Sequence, residues 1–395
     1  MYAHRLREEA QELLPDTIAL RRRIHRHPEL GLVLPETQQA VLESLEGAGL
    51  ELHTGGATSA VLAVLRGARP GSTLLLRADM DALPLQEDTG LAFRSERDGA
   101  MHACGHDAHV AMLAGAARLL AARRAELPGT LKFLFQPGEE GYAGARVLIE
   151  EGLLEGEPRV EAAFAIHVDS SLAAGCVATR PGPLLAAGDV FSVDLVGRGG
   201  HAAQPHLARD PIPAACEIVT ALQGVVTRQM YAFDPVIVSV TKIQAGSAGN
   251  VIPERAHLLG TIRTVSERAR TQIRERVERA VRGIAAAHGL EVKVHLLPGY
   301  PVTVNHAEFT AFAQGVAAEL LGAERVVSLD APIMGAEDFS YILQRVPGAL
   351  VFLGARPEGG EGAPLHSNRM LLDEAAFADG MALHAAVALR WLEAR

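Results

Sequence analysis

The chain has 395 residues, 48% of them hydrophobic and 21% charged, and a formal net charge of −10 at neutral pH. Such a length exceeds what a single core usually holds, about 250–300 residues, so two domains are expected, and the composition excludes a disordered chain. The acidic balance repels polyanions, which argues against nucleic acid or an anionic membrane as a partner.

The opening segment, "MYAHRLREEAQELLPD", is charged and lacks the apolar stretch of a signal peptide. It continues as a helix with apolar residues at helical spacing, stopped by Pro28 and Gly31, and "PETQQAVLESLEGAG" reads as a second helix. No apolar run approaches the roughly 18 residues of a membrane span. Three cysteines (Cys104, Cys176, Cys216) cannot all pair and fit a reducing compartment, so a cytoplasmic protein is expected.

Short apolar runs with strand character follow: "SAVLAVLRG", "STLLLRADMDALP", "GTLKFLFQPGEEG" and "VEAAFAIHV". They alternate with helical stretches such as "VAMLAGAARLLAARRAEL", which predicts a layered α/β domain around a mostly parallel sheet. From residue 187 the order becomes strand, helix, strand, strand, helix, strand, the ferredoxin-like βαββαβ pattern, ending with "EVKVHLLPG". The α/β pattern then resumes to Arg395. The expected organisation is a catalytic domain in two parts, 1–186 and 298–395, with a smaller domain, 187–297, inserted between them. Residues 355–368 read as a loose glycine-rich loop.

Chemistry-bearing residues gather at the predicted strand ends. "MHACGHDAH" holds Cys104 and His106 two apart, a spacing that lets one loop aim both at an ion. No second Cys or His pair completes a structural zinc site, and a reactive thiol near a helix N-terminus is the other reading of Cys104. Glu139 and Glu140 adjoin in the turn "FQPGEEG", where burial of both requires a cation or proton. Asp79 and Asp81 close one strand, His167 ends another, and His366 lies in the glycine-rich loop. Each alone is an ordinary turn or surface residue; together they supply what a two-ion hydrolytic site requires.

Seven motifs in order, "RADMDALP", "MHACGHDAH", "FQPGEEG", "FAIHV", "GRGGHAAQPH", "MGAEDFS" and "LHSN", give the chain its resemblance to a known family. It resembles the dinuclear-metal amidohydrolases that include hippurate hydrolases, bacterial N-acyl-L-amino-acid amidohydrolases and plant hydrolases of indole-acetyl amino-acid conjugates. More distantly it is similar to aminoacylases and glutamate carboxypeptidases. The resemblance implies up to two divalent ions per subunit, held by Cys104, His106, Glu140, His167 and His366. It further implies Glu139 as the general base toward the attacking water and Asp81 as a carboxylate that orients a ligand. Asp79 aligns where distant relatives have a metal-binding histidine. A thiolate ligand favours zinc, with manganese, cobalt or nickel also compatible.

The same resemblance implies that the inserted domain is a lid and dimer contact. His201 would reach the partner subunit's site and stabilise the reacting carbonyl oxygen, with Asn250 and Arg263 as substrate-binding positions; a homodimer or higher oligomer is expected. Arg263 suits the free carboxylate of an N-acyl amino acid. "GRGGHA" formally matches a dinucleotide-binding pattern, but "AQPHLARDPIP" follows it and leaves no phosphate-capping helix terminus, which excludes a nicotinamide enzyme built on Cys104. The expected activity is metal-dependent hydrolysis of the amide bond of N-acyl amino acids. A dipeptidase or carboxypeptidase of the same fold, or a non-catalytic metal-binding homologue, is the alternative.

Overall fold

The computed structural model describes residues 2–360 and 362–395. Met1 of the opening segment and Glu361 of the glycine-rich loop lie outside them. The chain divides into two units, residues 1–184, 304–331 and 338–395, and residues 185–303 with 332–337.

The larger unit is built on an eight-stranded sheet in the order Glu51–Thr54, Val61–Arg66, Pro128–Gln136, Arg69–Asp79, Ala162–Ala173, Gly348–Arg356, Val177–Thr179, Val326–Ser328. The four central strands, from Pro128–Gln136 to Gly348–Arg356, run parallel, as expected of an α/β layered domain. Parallel strands covered on both faces read as continuous apolar runs. Leu74 to Leu76 and Ala349 to Leu353 are accordingly all buried. The helices His106–Ala121 and Ala376–Glu393 are buried on nearly every face, the signature of core helices rather than surface ones. The first helix, Tyr2–Arg26, is polar outside and buries Leu6, Ala10, Leu14 and Ile24 at helical spacing.

In the smaller unit, four antiparallel strands stand in the order Val236–Ala245, Arg255–Thr264, Ala187–Val196, Glu291–Leu297. With the helices Pro211–Gln229 and Glu267–Ala287 this is the βαββαβ arrangement. The strands alternate: Phe191, Val193 and Leu195 turn toward the helices, against Ile218, Leu222, Ile273 and Val277. Both helices start on capped N-termini, Asp210 accepting from Ile212 N and Ser266 from Ala269 N.

The unit closes at Thr303, beyond the sequence-read boundary at 297, because residues 298–303 are hydrogen-bonded to its own elements. Gly299 N donates to Asp189, Gly188 N to the Tyr300 carbonyl, and Val302 N to Glu267. Residues 332–337 return to it through the Ala186 N bond to the Ile333 carbonyl, a long-range contact invisible to local patterning.

One core histidine makes stability depend on acid. His384, on the helix Ala376–Glu393, is buried with its ring edge toward Phe164 at 5.6 Å, and no described group pairs its Nδ1. Burial pushes its pKa down to about 3, so the folded state keeps it neutral. As pH falls the unfolded chain takes up the proton first, near 6.5. The stability that neutral His384 confers is complete above that pH and lost progressively toward 3, at up to about 1.4 kcal/mol per pH unit. His384→Leu is expected to make the acid limb shallower in urea unfolding of the ion-free protein between pH 4 and 7. An unchanged slope would contradict that assignment.

Candidate metal centre

The carboxyl ends of the central parallel strands are where polar side chains can converge without breaking the core. Asp79 is the last residue of the strand Arg69–Asp79 and pairs in register with Gln136, the last of Pro128–Gln136, so the turns carrying Asp81 and Glu139–Glu140 leave the sheet side by side. His167 does not end its strand as the sequence suggested: Ala162–Ala173 continues past it because residues 163–169 stay paired to Gly348–Arg356, with His167 opposite Phe352, while pairing to Arg69–Asp79 stops at Ala165. Cys104 precedes the helix His106–Ala121, separated from it by Gly105 at φ +83. A side chain at Gly105 would meet Val168 Cγ2 at 2.3 Å, so this position requires glycine for both its backbone and its space.

His366 also has a left-handed backbone, φ +67, unusual for a non-glycine residue. Its amide donates to the Ala103 carbonyl at 2.8 Å, which ties the glycine-rich loop to the Cys104 segment.

Among the described residues five groups of potential ligands occur, and two of them share Cys104. Cys104, His106 and His167 form one; Cys104, Glu140 and His366 form the other, all donor atoms in each lying within 4.8 Å of one another. Cys104 Sγ stands 3.5 Å from His167 Nε2 and 3.3 Å from His366 Nε2, and His366 Nε2 is 3.3 Å from Glu140 Oε1. Tetrahedral ligands at roughly 2.0–2.3 Å from an ion sit about 3.3–3.8 Å apart, so these spacings suit a metal. His106 donates from Nδ1 to the Asp81 carbonyl at 2.8 Å, and its buried Nε2 has no hydrogen-bond partner, as a ligand nitrogen awaiting an ion would be.

The thiol behaves differently from the helix-terminus reading. Burial pushes the Cys104 pKa up to about 12, outweighing the nearby His106, so the ion-free protein holds a neutral thiol that a metal must deprotonate. Burial likewise holds His167 well below the ordinary histidine range, neutral and able to coordinate. Burial opposes ionisation of Glu140, but His366 and His106 outweigh it and lower its pKa.

Asp81 shapes the turn. Its carboxylate accepts the backbone N–H of Glu139 at 2.8 Å and of Glu140 at 2.9 Å, orienting both adjacent glutamates. Glu139 is buried, and its Oε1 accepts the Asp338 N–H at 3.3 Å. The Asp338 carboxylate is fixed by Arg77 at 2.8 Å, by Gln136 at 2.8 and 2.9 Å and by Ala145 N at 2.9 Å. Sequence reasoning passed over Asp338 and Arg77. Arg77 opens "RADMDALP", read for Asp79 and Asp81, and Asp338 lies in "MGAEDFS", from which no residue was singled out.

The other polar residues of "MHACGHDAH", His102, Asp107 and His109, are all buried. Asp107 takes Arg21 Nε at 2.7 Å and His25 Nδ1 at 2.8 Å; burial alone would raise its pKa, but these partners hold it well below the carboxylate range. His201, Asn250 and Arg263 belong to the smaller unit. There the short strand Gly200–His201 pairs with Val251–Ile252, and Ala202 N donates to the Asn250 carbonyl, which brings the exposed His201 and Asn250 segments together. Arg263, half-buried, stands on Arg255–Thr264 opposite Ile237.

A model described as peptidase family M20/M25/M40 matches residues 75–390. The chain is 39% identical to thermostable carboxypeptidase 1 of Saccharolobus solfataricus over 98% of each chain. It is 41% identical to an N-acetylcysteine deacetylase of Bacillus subtilis, covering 85% of this chain and 87% of that one. Among solved structures, a dinuclear metal binding peptidase of the M20 family from Bacillus subtilis superposes with a TM-score of 0.83 at 36% identity, over 97% of this chain and 99% of the other.

Proposed function

Since this chain belongs to peptidase family M20/M25/M40, we propose that it is a metal-dependent amidohydrolase that cleaves the amide bond of N-acyl amino acids. The observation that carries the reading is the pair of ligand groups sharing Cys104, with Glu139 adjoining Glu140 at their edge. We assign Cys104, His106 and His167 to one ion and Cys104, Glu140 and His366 to a second, and zinc to both because a thiolate is among the donors. A bound divalent ion would supply acidified water and polarisation of the amide carbonyl.

The chain's own groups complete the reaction. Glu139 takes a proton from the attacking water and returns it to the leaving nitrogen, so that the C–N bond breaks to give a carboxylic acid and a free amine. Asp338 N–H steadies Glu139 from one side and Asp81 from its backbone. In the smaller unit, His201 is proposed to stabilise the carbonyl oxygen across a homodimer, Asn250 to bind substrate, and Arg263 to receive the substrate's carboxylate.

The carboxypeptidase among the relatives supports a second reading, cleavage of unblocked peptides. Rates on N-acetyl and N-benzoyl amino acids, compared with unblocked dipeptides, separate the two. The proposal expects kcat/KM at least about tenfold higher on the acylated substrates, equivalent to about 1.4 kcal/mol. The reverse order would assign the protein to peptide cleavage.

A further inference from the structure

Asp79 and His109 are fully buried beside the candidate ligands, and with His106 they form a third group whose donor atoms lie within 4.8 Å of one another. Both nitrogens of His109 are already engaged. Val168 N–H donates to His109 Nε2 at 2.8 Å, so Nε2 carries no proton; Nδ1 carries it and donates to Asp79 Oδ1 at 2.5 Å. No lone pair of His109 is left for an ion. Asp79 Oδ2 in turn accepts from Arg77 Nη1 at 2.6 Å.

His109 clamps the N–H of Val168, and the carbonyl of that same residue, in the following peptide, aims His167. His167 Nδ1 donates to the Val168 carbonyl at 2.7 Å, leaving Nε2 toward Cys104 Sγ, and the His109 ring stands edge-on to the His167 ring at 4.5 Å. We propose that Asp79 and His109 are positioning residues, not ligands: Asp79 fixes the Nδ1–H tautomer of His109, and His109 holds the Val168 amide so that His167 presents Nε2. The inference rests on the assignment of His167 as a ligand. It gives Asp79 the task of orienting a supporting histidine and not that of holding an ion.

Three nearly isosteric variants separate the roles. In Asp79→Asn, Arg77 claims the remaining oxygen and the amide N–H faces His109, which favours the Nε2–H tautomer and sets one donor against the Val168 N–H. His109→Gln keeps an acceptor within reach of Val168, whereas His109→Asn reaches Asp79 only. Zinc affinity, measured by competition with a chromogenic chelator, is expected to fall about 10–100-fold in Asp79→Asn and His109→Asn and much less in His109→Gln. Zinc bound at saturation should stay at the wild-type number in all three. The melting temperature of each ion-free variant is recorded beside it, because a general loss of packing would not rank Gln above Asn.

Loss of a whole zinc equivalent in both His109 variants would make His109 a ligand and overturn the proposal. Equal affinities in the two His109 variants would overturn it as well, and this comparison stands if Asp79→Asn does not fold. His167→Ala is the control on the underlying assignment. Undiminished zinc in His167→Ala removes His167 from the ligands, whereas zinc loss there with wild-type affinity in the other three rejects only the positioning role.

Discussion

Glu139→Gln is expected to retain its ions and lose turnover by about 10²–10⁴-fold, the range that a positioned general base contributes. The substitution keeps shape and hydrogen bonding. Asp81 still accepts the residue 139 amide, and a glutamine oxygen still accepts the Asp338 N–H, so the turn that presents Glu140 is undisturbed. Only the capacity to take a proton disappears. The checks are kcat on an N-acetyl amino acid and elemental analysis of the same sample. A variant with kcat within a few-fold of wild type would remove Glu139 from the proton transfer.

Cys104→Ala is expected to weaken both ions together, because Cys104 belongs to both ligand groups. Each group also loses its one sulfur donor, and the remaining nitrogen and oxygen donors accept harder metals more readily. Ion content after gel filtration should fall below that of His167→Ala or His366→Ala, each of which touches a single group, and hydrolysis at ordinary zinc concentrations should be undetectable. Retention of one ion at wild-type affinity would show that Cys104 serves only one of them.

What the sequence made legible was local in kind. The apolar runs of the parallel strands, the helix stops and the βαββαβ order are carried by neighbouring residues, and the structure contains them. Cys104 with His106 and Glu139 with Glu140 are also local pairs, visible as motifs before any fold is known. The supporting contacts were not legible, because they join distant segments through buried charge. Asp107 meets Arg21 and His25 on the first helix, and Asp338 meets Arg77 and Gln136 from far along the chain.

Burial itself was the other hidden variable. A Glu-Glu turn, a histidine before a helix and one in its first turn look solvated in sequence, yet Glu139, His102 and His109 are enclosed. The same enclosure reverses the expectation for Cys104, whose thiol is raised by desolvation where a helix start alone would have lowered it. Asp79 shows both effects: burial raises its pKa, and Arg77 with His106 and His109 pulls it well below the carboxylate range; of these partners only Arg77, two residues away on the same strand, stands inside "RADMDALP".

Hydrolysis of an N-acetyl amino acid by protein stripped exhaustively of divalent ions, followed by titration with zinc or manganese, is the most direct test of metal-dependent amide cleavage at this centre. Turnover should be absent in the stripped protein and return as ions bind, saturating at no more than about two per chain, as two ligand groups sharing Cys104 require. Full turnover in protein shown by elemental analysis to be ion-free would contradict it.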